Sequence, residues 1–366
     1  MAENYKKYTQ IEHVLERPGM YVGDTKDIVS DCWTVNPDNN TAHIKNCKWN
    51  PGVYKIFDEI LTNASDEVQR NKKVTCIKVD ITDDGDISVY NDSGIPIEIH
   101  PEYNIYIPEL IFANLLTTSN HDDTKKRTTG GLNGLGAKLA AIFSDTFRIE
   151  TASGGKKYTQ TFEKNLSKIC KPKIGKTSKE YTRITFRPDF KRFGIDCITQ
   201  DTKDILVKRI FDICAITPKG VDVHYNGKKL TVKDFSDYIS VYIGPKKECP
   251  RVIQEEPRWQ VSIAPSENGF QCMSFVNGVN TSDGGSHVDH VINPIIKKLT
   301  ETIQEKHKSL TIKPHYIKDN IFVFINCIIE NPSFSSQTKE KNITKISDFG
   351  SKFTASQDFI KNVAKL

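Results

Sequence analysis

The sequence contains no long apolar run and no paired-cysteine motif, and each absence excludes a class of protein. The longest apolar stretch, residues 321–329, is far shorter than the roughly 20 residues that a membrane-spanning helix needs. Residues 1–17 are polar and charged, so they predict no secretory signal. None of the nine cysteines stands in a Cys-x-x-Cys pair, the common spacing of zinc ligands. We therefore expect an intracellular protein with reduced thiols and no membrane partner.

The composition is that of a globular protein with more than one core. The 366 residues are enough for two or three domains, and 37% of them are hydrophobic. The 51 basic and 46 acidic residues leave a net charge of only +5. This balance favours solubility, but it does not by itself indicate nucleic-acid binding.

Apolar periodicity and turn residues predict alternating helices and strands. Residues 1–50 are turn-rich and predict an irregular arm, and Pro51 then opens a helix to about Arg70. The turn at residues 83–86 predicts a β-hairpin. The other predicted helices are 108–116, 137–143, 201–215 and 288–308, and the predicted strands are 75–82, 87–91, 146–153, 158–162, 182–188, 221–225, 259–264, 271–276 and 320–330. We expect residues 342–366 to be mostly helical, with a fragment boundary at the end.

A lysine-rich segment separates two of the predicted strands. Residues 164–179 contain six lysines. A run of like charge is most often a solvated loop, and we predict a loop here. A patch that contacts phosphate is the less favoured alternative.

The glycine-rich segment 130–138 does not match either common phosphate loop. The dinucleotide-binding pattern requires G-x-G-x-x-G after a strand, whereas the order here is G-x-x-G-x-G after a polar stretch. A Walker A loop requires Lys-Ser or Lys-Thr after its last glycine, and Ala137-Lys138-Leu139 stands there instead. The remaining prediction is a loop that leads into a helix, whose backbone N–H groups attract phosphate.

Two polar groups upstream offer partners for this loop. Glu59 and Asn63 are four residues apart, so they share one face of the predicted helix. A carboxylate and an amide together suit water activation and the coordination of a hard cation, although a solvent-facing polar stripe is the simpler interpretation of the spacing alone. Residues 91–94 end a strand with small polar side chains, which suit either contact with a base edge or an Asx turn.

In this order, the Glu and Asn helix, the Asn91 strand end and the glycine loop resemble the GHKL ATPase superfamily. That superfamily includes DNA gyrase, type II topoisomerases, certain chaperones, histidine kinases and mismatch-repair proteins. The resemblance is closer to the ATPase region of eukaryotic-type type IIA topoisomerases, in the family's order from about residue 5 to the end. The stretches that carry it are 55–66 (KIFDEILTNASD), 95–100 (IPIEIH), 115–120 (LLTTSN), 277–279 (NGV), 284–288 (GGSHV), 326–332 (NCIIENP) and 336–340 (SQTKE).

This resemblance implies an α+β fold with two domains. A GHKL (Bergerat) α/β sandwich ATPase domain is expected at 51–235, after an N-terminal arm or strap at 1–50. A transducer domain with the ribosomal-protein S5-like α/β fold is expected at 236–366. The implied cofactors are ATP and Mg²⁺. The implied partners are duplex DNA, a second copy of the chain on ATP binding, and the DNA-cleavage region of the same full-length chain.

The resemblance also implies residue roles. Glu59 is expected to be the general base, and Asn63 the Mg²⁺ ligand. Asn91 matches the adenine contact, and Lys339 the γ-phosphate contact. Tyr21 lies in the arm that, in the family, crosses to a second protomer and contacts the nucleotide there. Gln337 and Thr338 are expected to bind the nucleotide beside Lys339, with Gln337 orienting the attacking water. The remaining implied nucleotide-binding residues are Thr118, Ser119 and Asn120 at the ribose and phosphates, and Gly131, Leu132, Asn133, Gly134, Leu135, Gly136, Ala137 and Lys138 in the lid.

Some features depart from the family pattern. The 91–94 loop is one residue short, and Leu132 and Leu135 stand where the family carries Arg and Tyr. Neither an acidic Glu-Gly-Asp-Ser site nor a tyrosine in a recognisable cleavage context occurs, so we expect ATPase activity alone. The expected role is an ATP-operated gate that captures DNA, in the nucleus or, for a viral source, in the host cytoplasm or a virus factory. A chaperone or mismatch-repair-like ATPase clamp is the alternative.

Overall fold

The computed structural model describes residues 7–115, 126–129, 134–309 and 311–366. They form two compact units. The first unit contains residues 7–115 and 134–233, and the second contains 126–129 and the described residues from 234 onward. None of the described helices is long and apolar enough to cross a membrane.

The first unit is a large sheet with helices, together with a separate hairpin. Its helices are α1 (Gln10–Glu16), α2 (Pro51–Arg70), α3 (Ile107–Ala113), α4 (Gly136–Ile142) and α5 (Gln200–Ile216). Its strands are β1 (Ile28–Asn36), β2 (Thr41–Trp49), β3 (Cys76–Ile81), β4 (Ile87–Asn91), β5 (Ser144–Ser153), β6 (Lys156–Glu163), β7 (Lys168–Ile169), β8 (Lys173–Lys176), β9 (Tyr181–Pro188), β10 (Asp222–Tyr225) and β11 (Lys228–Lys229). The large sheet has the order β11-β10-β3-β4-β9-β5-β6-β7, with β8 also paired to β6.

The faces of this sheet differ because side chains alternate along each strand. On β3, Ile77, Val79 and Ile81 are buried, whereas Lys78 between them is exposed. The buried side chains face the helices, so the opposite face of the sheet carries the polar and charged side chains.

Helix α2 lies in the interior of the first unit. It begins at Pro51, and the side chain of Asn50 caps it by accepting a hydrogen bond from the Val53 N–H at 3.1 Å. An ion pair joins it to α5, since Nε of Arg209 lies 2.6 Å from Oδ1 of Asp58. Both side chains are buried, so each charge helps to compensate the other.

The second unit is a five-stranded sheet that has helices on both faces. Its helices are α6 (Phe235–Ile243), α7 (Ser286–Lys306), α8 (Pro314–Lys318) and α9 (Gln357–Val363), and its strands are β12 (Val252–Glu256), β13 (Trp259–Pro265), β14 (Gln271–Val276), β15 (Val279–Asn280) and β16 (Ile321–Cys327), in the sheet order β12-β13-β16-β14-β15. On β16, Val323 and Ile325 belong to the core that includes α7 and α9. Phe322 and Phe324 point the other way and contact Tyr242 of α6.

Residues 126–129 belong to the second unit although their neighbours along the chain belong to the first. Nζ of Lys126 lies 2.8 Å from Oε2 of Glu330. The backbone of Arg127 exchanges two hydrogen bonds with Asn331, whose N–H donates to the Arg127 carbonyl and whose Oδ1 accepts from the Arg127 N–H. The second unit is therefore discontinuous in sequence.

Three secondary-structure predictions were wrong. The arm at 1–50 is not irregular, because it contains α1 and the β1–β2 hairpin. Residues 342–366 are mostly not helical, since the described helical elements there are only a 3₁₀ turn at Ile346–Asp348 and α9. The lysine-rich segment is not only a loop, because β7 and β8 lie within it.

Candidate nucleotide-binding site

Glu59 is buried on α2 and forms an ion pair with a residue that the sequence analysis did not single out. Nζ of Lys55, one turn earlier, lies 2.5 Å from Oε1 of Glu59, and both side chains are at most 6% exposed. A buried carboxylate needs such compensation. The i,i+4 spacing of Lys55 and Glu59 was the sequence signal that could have revealed the pair.

The second carboxylate oxygen of Glu59 faces the start of α4. A Cβ atom added to Gly136 would collide with Oε2 of Glu59. Only glycine therefore allows the first residue of α4 to approach the carboxylate this closely. The structure thus brings together Glu59 and Gly136, which are far apart in sequence.

The rest of the described lid segment folds compactly beside this contact. Gly134 has a φ of +58°, in the left-handed region, and its carbonyl accepts a hydrogen bond from Nζ of Lys138. Ala137 and Lys138 are buried, and burial lowers the pKa of Lys138 to about 8. Leu135 and Gly136 are half-buried.

Asn63 is exposed, whereas its neighbours on α2 are buried. It lies one turn after Glu59, so its amide can contact a ligand that also meets the carboxylate. No group of three or more His, Cys, Asp or Glu side chains within the described ranges could hold a metal ion. The Asn63 amide oxygen is a donor that could hold Mg²⁺, an ion that keeps several waters and takes substrate phosphates as ligands.

Asn91 ends β4 in a turn. Its Oδ1 accepts a hydrogen bond from the Ser93 N–H at 3.0 Å, which is the Asx turn considered as an alternative from sequence. Ser93 ties this turn to α2 by donating from Oγ to Oε1 of Glu67 at 2.7 Å. At Gly94, an added Cβ would collide with the carbonyl oxygen of Ala152. The shortened 91–94 loop is thus held against α2 and β5.

Tyr21 contacts α1 of its own chain. Its hydroxyl lies 2.9 Å from Nδ1 of His13, and the two rings meet edge to face. Tyr21 is half-buried and follows the 3₁₀ turn Pro18–Met20. These contacts fix the direction of the chain at the end of α1.

Gln337, Thr338 and Lys339 form a tight turn in the second unit. Lys339 is buried and has a φ of +65°, and its N–H donates to the Ser336 carbonyl at 3.2 Å. Thr338 Oγ1 donates to Oε2 of Glu340 at 3.1 Å. Among the described residues, this turn is the part of the predicted site that lies in the second unit.

The remaining predicted contacts lie outside the described residues. They are Thr118, Ser119 and Asn120 at the ribose and phosphates, and Gly131, Leu132 and Asn133 in the lid.

Comparisons with known proteins identify the family. A family model described as DNA gyrase B matches residues 225–363. DNA topoisomerase 2 of Candida albicans is 43% identical over the whole chain, and that of Arabidopsis thaliana is also 43% identical. The chain spans only about a quarter of these relatives, 27% and 26% of their lengths.

Solved structures match the whole chain. The ATPase region of Saccharomyces cerevisiae topoisomerase II is 40% identical with a TM-score of 0.94, and the match covers 100% of this chain and 97% of that one. The ATPase and transducer domains of DNA topoisomerase II from Balamuthia mandrillaris are 38% identical with a TM-score of 0.93, covering 99% and 94%. The 43K ATPase domain of Thermus thermophilus gyrase B, at 18% identity and a TM-score of 0.62 over 97% and 89%, shares the fold.

These matches confirm the α+β prediction of a GHKL ATPase fold followed by a transducer fold. They also confirm the predicted family over the full length of the chain. The chain belongs to the topoisomerase II family, within which it corresponds to the ATPase region.

Proposed function

We propose that this chain binds and hydrolyses ATP with Mg²⁺ and acts as the nucleotide-operated gate of a type II DNA topoisomerase. The observation that supports this most is the buried Glu59 carboxylate, paired with Lys55 and approached by Gly136. The test is to measure phosphate release by the chain with Mg-ATP, with and without duplex DNA. Absence of turnover in both conditions would contradict the proposal.

Glu59 is the proposed general base. Its carboxylate, which pairs with Lys55 through Oε1 and faces Gly136 with Oε2, accepts a proton from the attacking water. Burial of the carboxylate keeps bulk water away from this step. Lys55 orients the carboxylate and is a positioning residue.

Asn63 is the proposed Mg²⁺ ligand, and its loss is expected to weaken the metal dependence of ATP binding. In Asn63→Ala, calorimetry with ATP should show a Mg²⁺ enhancement of affinity at least about fivefold smaller than in the wild type, because one oxygen ligand is lost. Asn362→Ala, also an exposed helical asparagine, is the matched control and should keep the full enhancement. A full enhancement in Asn63→Ala would exclude it as a ligand.

The turn Gln337 to Lys339 is proposed to contact the γ-phosphate and so to distinguish ATP from ADP. Lys339 supplies a positive charge for that phosphate, and Gln337 helps to orient the attacking water. We further propose that residues 51–235 are the ATP-binding domain, 236–366 the transducer, and 1–50 the strap whose Tyr21 reaches a second protomer. Nucleotide contacted from both domains would favour the closed dimer.

The oligomeric state is expected to follow the γ-phosphate. Light scattering should find mostly monomer without nucleotide, mostly dimer with a non-hydrolysable ATP analogue, and less dimer with ADP. Lys339→Ala should reduce the difference between the analogue and ADP because it removes the contact that distinguishes them. Lys341→Ala, an exposed lysine two residues away, should keep the difference. Equal dimer fractions with ADP and with the ATP analogue in the wild type would contradict the proposal of a nucleotide-operated gate.

The partners of the full-length protein follow from this role. We propose duplex DNA, a second copy of the chain, and a DNA-cleavage region beyond the ATPase region. The proposed cellular location is the nucleus or, for a viral enzyme, the host cytoplasm or a virus factory.

A further inference from the structure

The outer face of the large sheet, opposite its helices, carries a basic concavity that the proposed ATPase chemistry does not use. The concavity has a volume of about 470 Å³. Its lining holds five cations and a single carboxylate, together with two tyrosines and a threonine. The residues of this basic face are Lys78, Tyr90, Glu150, Lys157, Lys176, Thr177, Lys179, Tyr181 and Arg183.

We propose that this basic face binds the phosphate backbone of duplex DNA. The choice of phosphate rests on the charges of the face, whereas the choice of DNA among phosphate polymers rests on the proposed function. The lysine-rich segment, predicted as a solvated loop, supplies part of the site.

Sheet pairing aligns the cations of the basic face. Lys78 on β3 lies opposite Tyr90 on β4, which lies opposite Arg183 on β9. Neighbouring strands are about 4.8 Å apart, so Lys78 and Arg183 arise about 10 Å from each other. The two cations therefore flank Tyr90 on the same face of the sheet.

The end of strand β8 and the residues after it bring the lysine-rich segment to the same concavity, whose lining includes Lys176, Thr177 and Lys179. Strand β8 pairs with β6, where Gly175 lies opposite Lys157. Five strand spacings separate β3 from β8 in the order β3-β4-β9-β5-β6-β8, a width of about 24 Å. This width exceeds what one nucleotide needs and suits a polymer that carries a charge every 1.7 Å or so along its axis.

The one carboxylate does not cancel this charge. Glu150 is engaged by two cations, since its Oε2 lies 3.0 Å from Nζ of Lys157 and its Oε1 lies 3.1 Å from Arg148. Lys78, Lys176 and Lys179 are exposed, as is Arg183. The charge that remains available to an anion is therefore strongly positive.

The tyrosines favour a duplex over a single strand. The ring of Tyr90 stacks on Tyr181 at 5.7 Å, and the charged ends of Lys78 and Arg183 lie 5.2 and 5.4 Å from its centre. Single-strand binding uses aromatic rings on which bases stack. Because the Tyr90 ring is already engaged by protein groups, it holds the cations in place and does not serve as a base platform.

The test measures DNA binding without nucleotide, so that it stays separate from ATP hydrolysis. Fluorescence anisotropy follows a labelled 30-base-pair duplex with the 366-residue chain between 50 and 200 mM salt. We expect log affinity to fall with log salt with a slope of about −3 to −4, for four phosphate contacts. The triple variant Lys78→Ala/Lys176→Ala/Lys179→Ala should lose at least about tenfold in affinity and most of the slope.

Two control variants isolate the role of charge at this place. Lys26→Ala/Lys72→Ala/Lys191→Ala removes the same charge from exposed lysines of the first unit outside the basic face, and it should bind within about twofold of the wild type. Lys78→Arg/Lys176→Arg/Lys179→Arg keeps the charge and should bind like the wild type. Thermal melting checks that each variant is folded, and the nucleotide-independent readout stands even where ATP hydrolysis fails.

Four results would overturn the proposal. They are no binding by the wild type at 50 mM salt, unchanged binding by the alanine variant of the basic face, an equal loss in the alanine control, and competition by single-stranded RNA or an acidic peptide as strong as that by unlabelled duplex.

Discussion

Replacing Glu59 with glutamine is expected to lower kcat for ATP hydrolysis at least about 100-fold and to leave ATP affinity within a few-fold. The reason is that the proton is taken from water mainly in the transition state, so the carboxylate contributes to the rate more than to binding. Single-turnover phosphate release and equilibrium ATP binding measure the two effects separately. Near-normal turnover would remove Glu59 from the chemistry.

The ion pair with Lys55 requires a control for this experiment. Glutamine leaves the Lys55 ammonium buried without its carboxylate, which destabilises the fold. The double variant Lys55→Met/Glu59→Gln removes both charges and should recover thermal stability. It should remain inactive if Glu59 is the base, and recovery of turnover together with stability would show that Glu59 acts only in folding.

Loss of the neighbouring carboxylate, Asp58, is expected to lower the stability of the fold and to leave ATP binding intact. Asp58→Ala should destabilise the chain by about 3–5 kcal/mol, because it leaves the Arg209 guanidinium buried without its closest carboxylate. Denaturant unfolding at neutral pH measures this loss, and ATP affinity per folded molecule should be unchanged.

Removing both members of the pair provides the control. Asp58→Leu/Arg209→Leu replaces two buried charges with apolar side chains and should be more stable than Asp58→Ala. An Asp58→Ala variant within about 0.5 kcal/mol of the wild type would show that Asp212, whose Oδ2 lies 3.9 Å from Nη1 of Arg209, compensates alone.

The regular elements of both units could be predicted from sequence because their burial is periodic. Apolar alternation marks β3, and helical spacing marks α2. The β1–β2 hairpin was not predicted because it forms a two-stranded sheet whose strands show little apolar alternation. The C-terminal end was predicted wrongly as a helix. Phe349 and Phe353 are four residues apart, a helical spacing, yet both reach the core from the irregular segment before α9.

The site was only partly predictable. The i,i+4 spacing of Glu59 and Asn63 was readable, and so was the glycine loop. The contact of Gly136 with Glu59 depends on tertiary packing, which the spacing of glycines does not encode. The place of the lysine-rich segment at the edge of the large sheet likewise follows from the pairing of β8 with β6, and the charge run alone could not reveal its neighbours.

The discontinuity of the second unit constrains how this chain can be divided or recombined. A fragment that begins at residue 234 would contain every described helix and strand of the unit but not Lys126 or Arg127, which contact Glu330 and Asn331. In a chimera that takes residues 234–366 from a relative, Glu330 and Asn331 would be replaced by the relative's residues, while Lys126 and Arg127 would remain from this chain. Exchanging residues 126–129 together with that segment keeps both sides from the same parent.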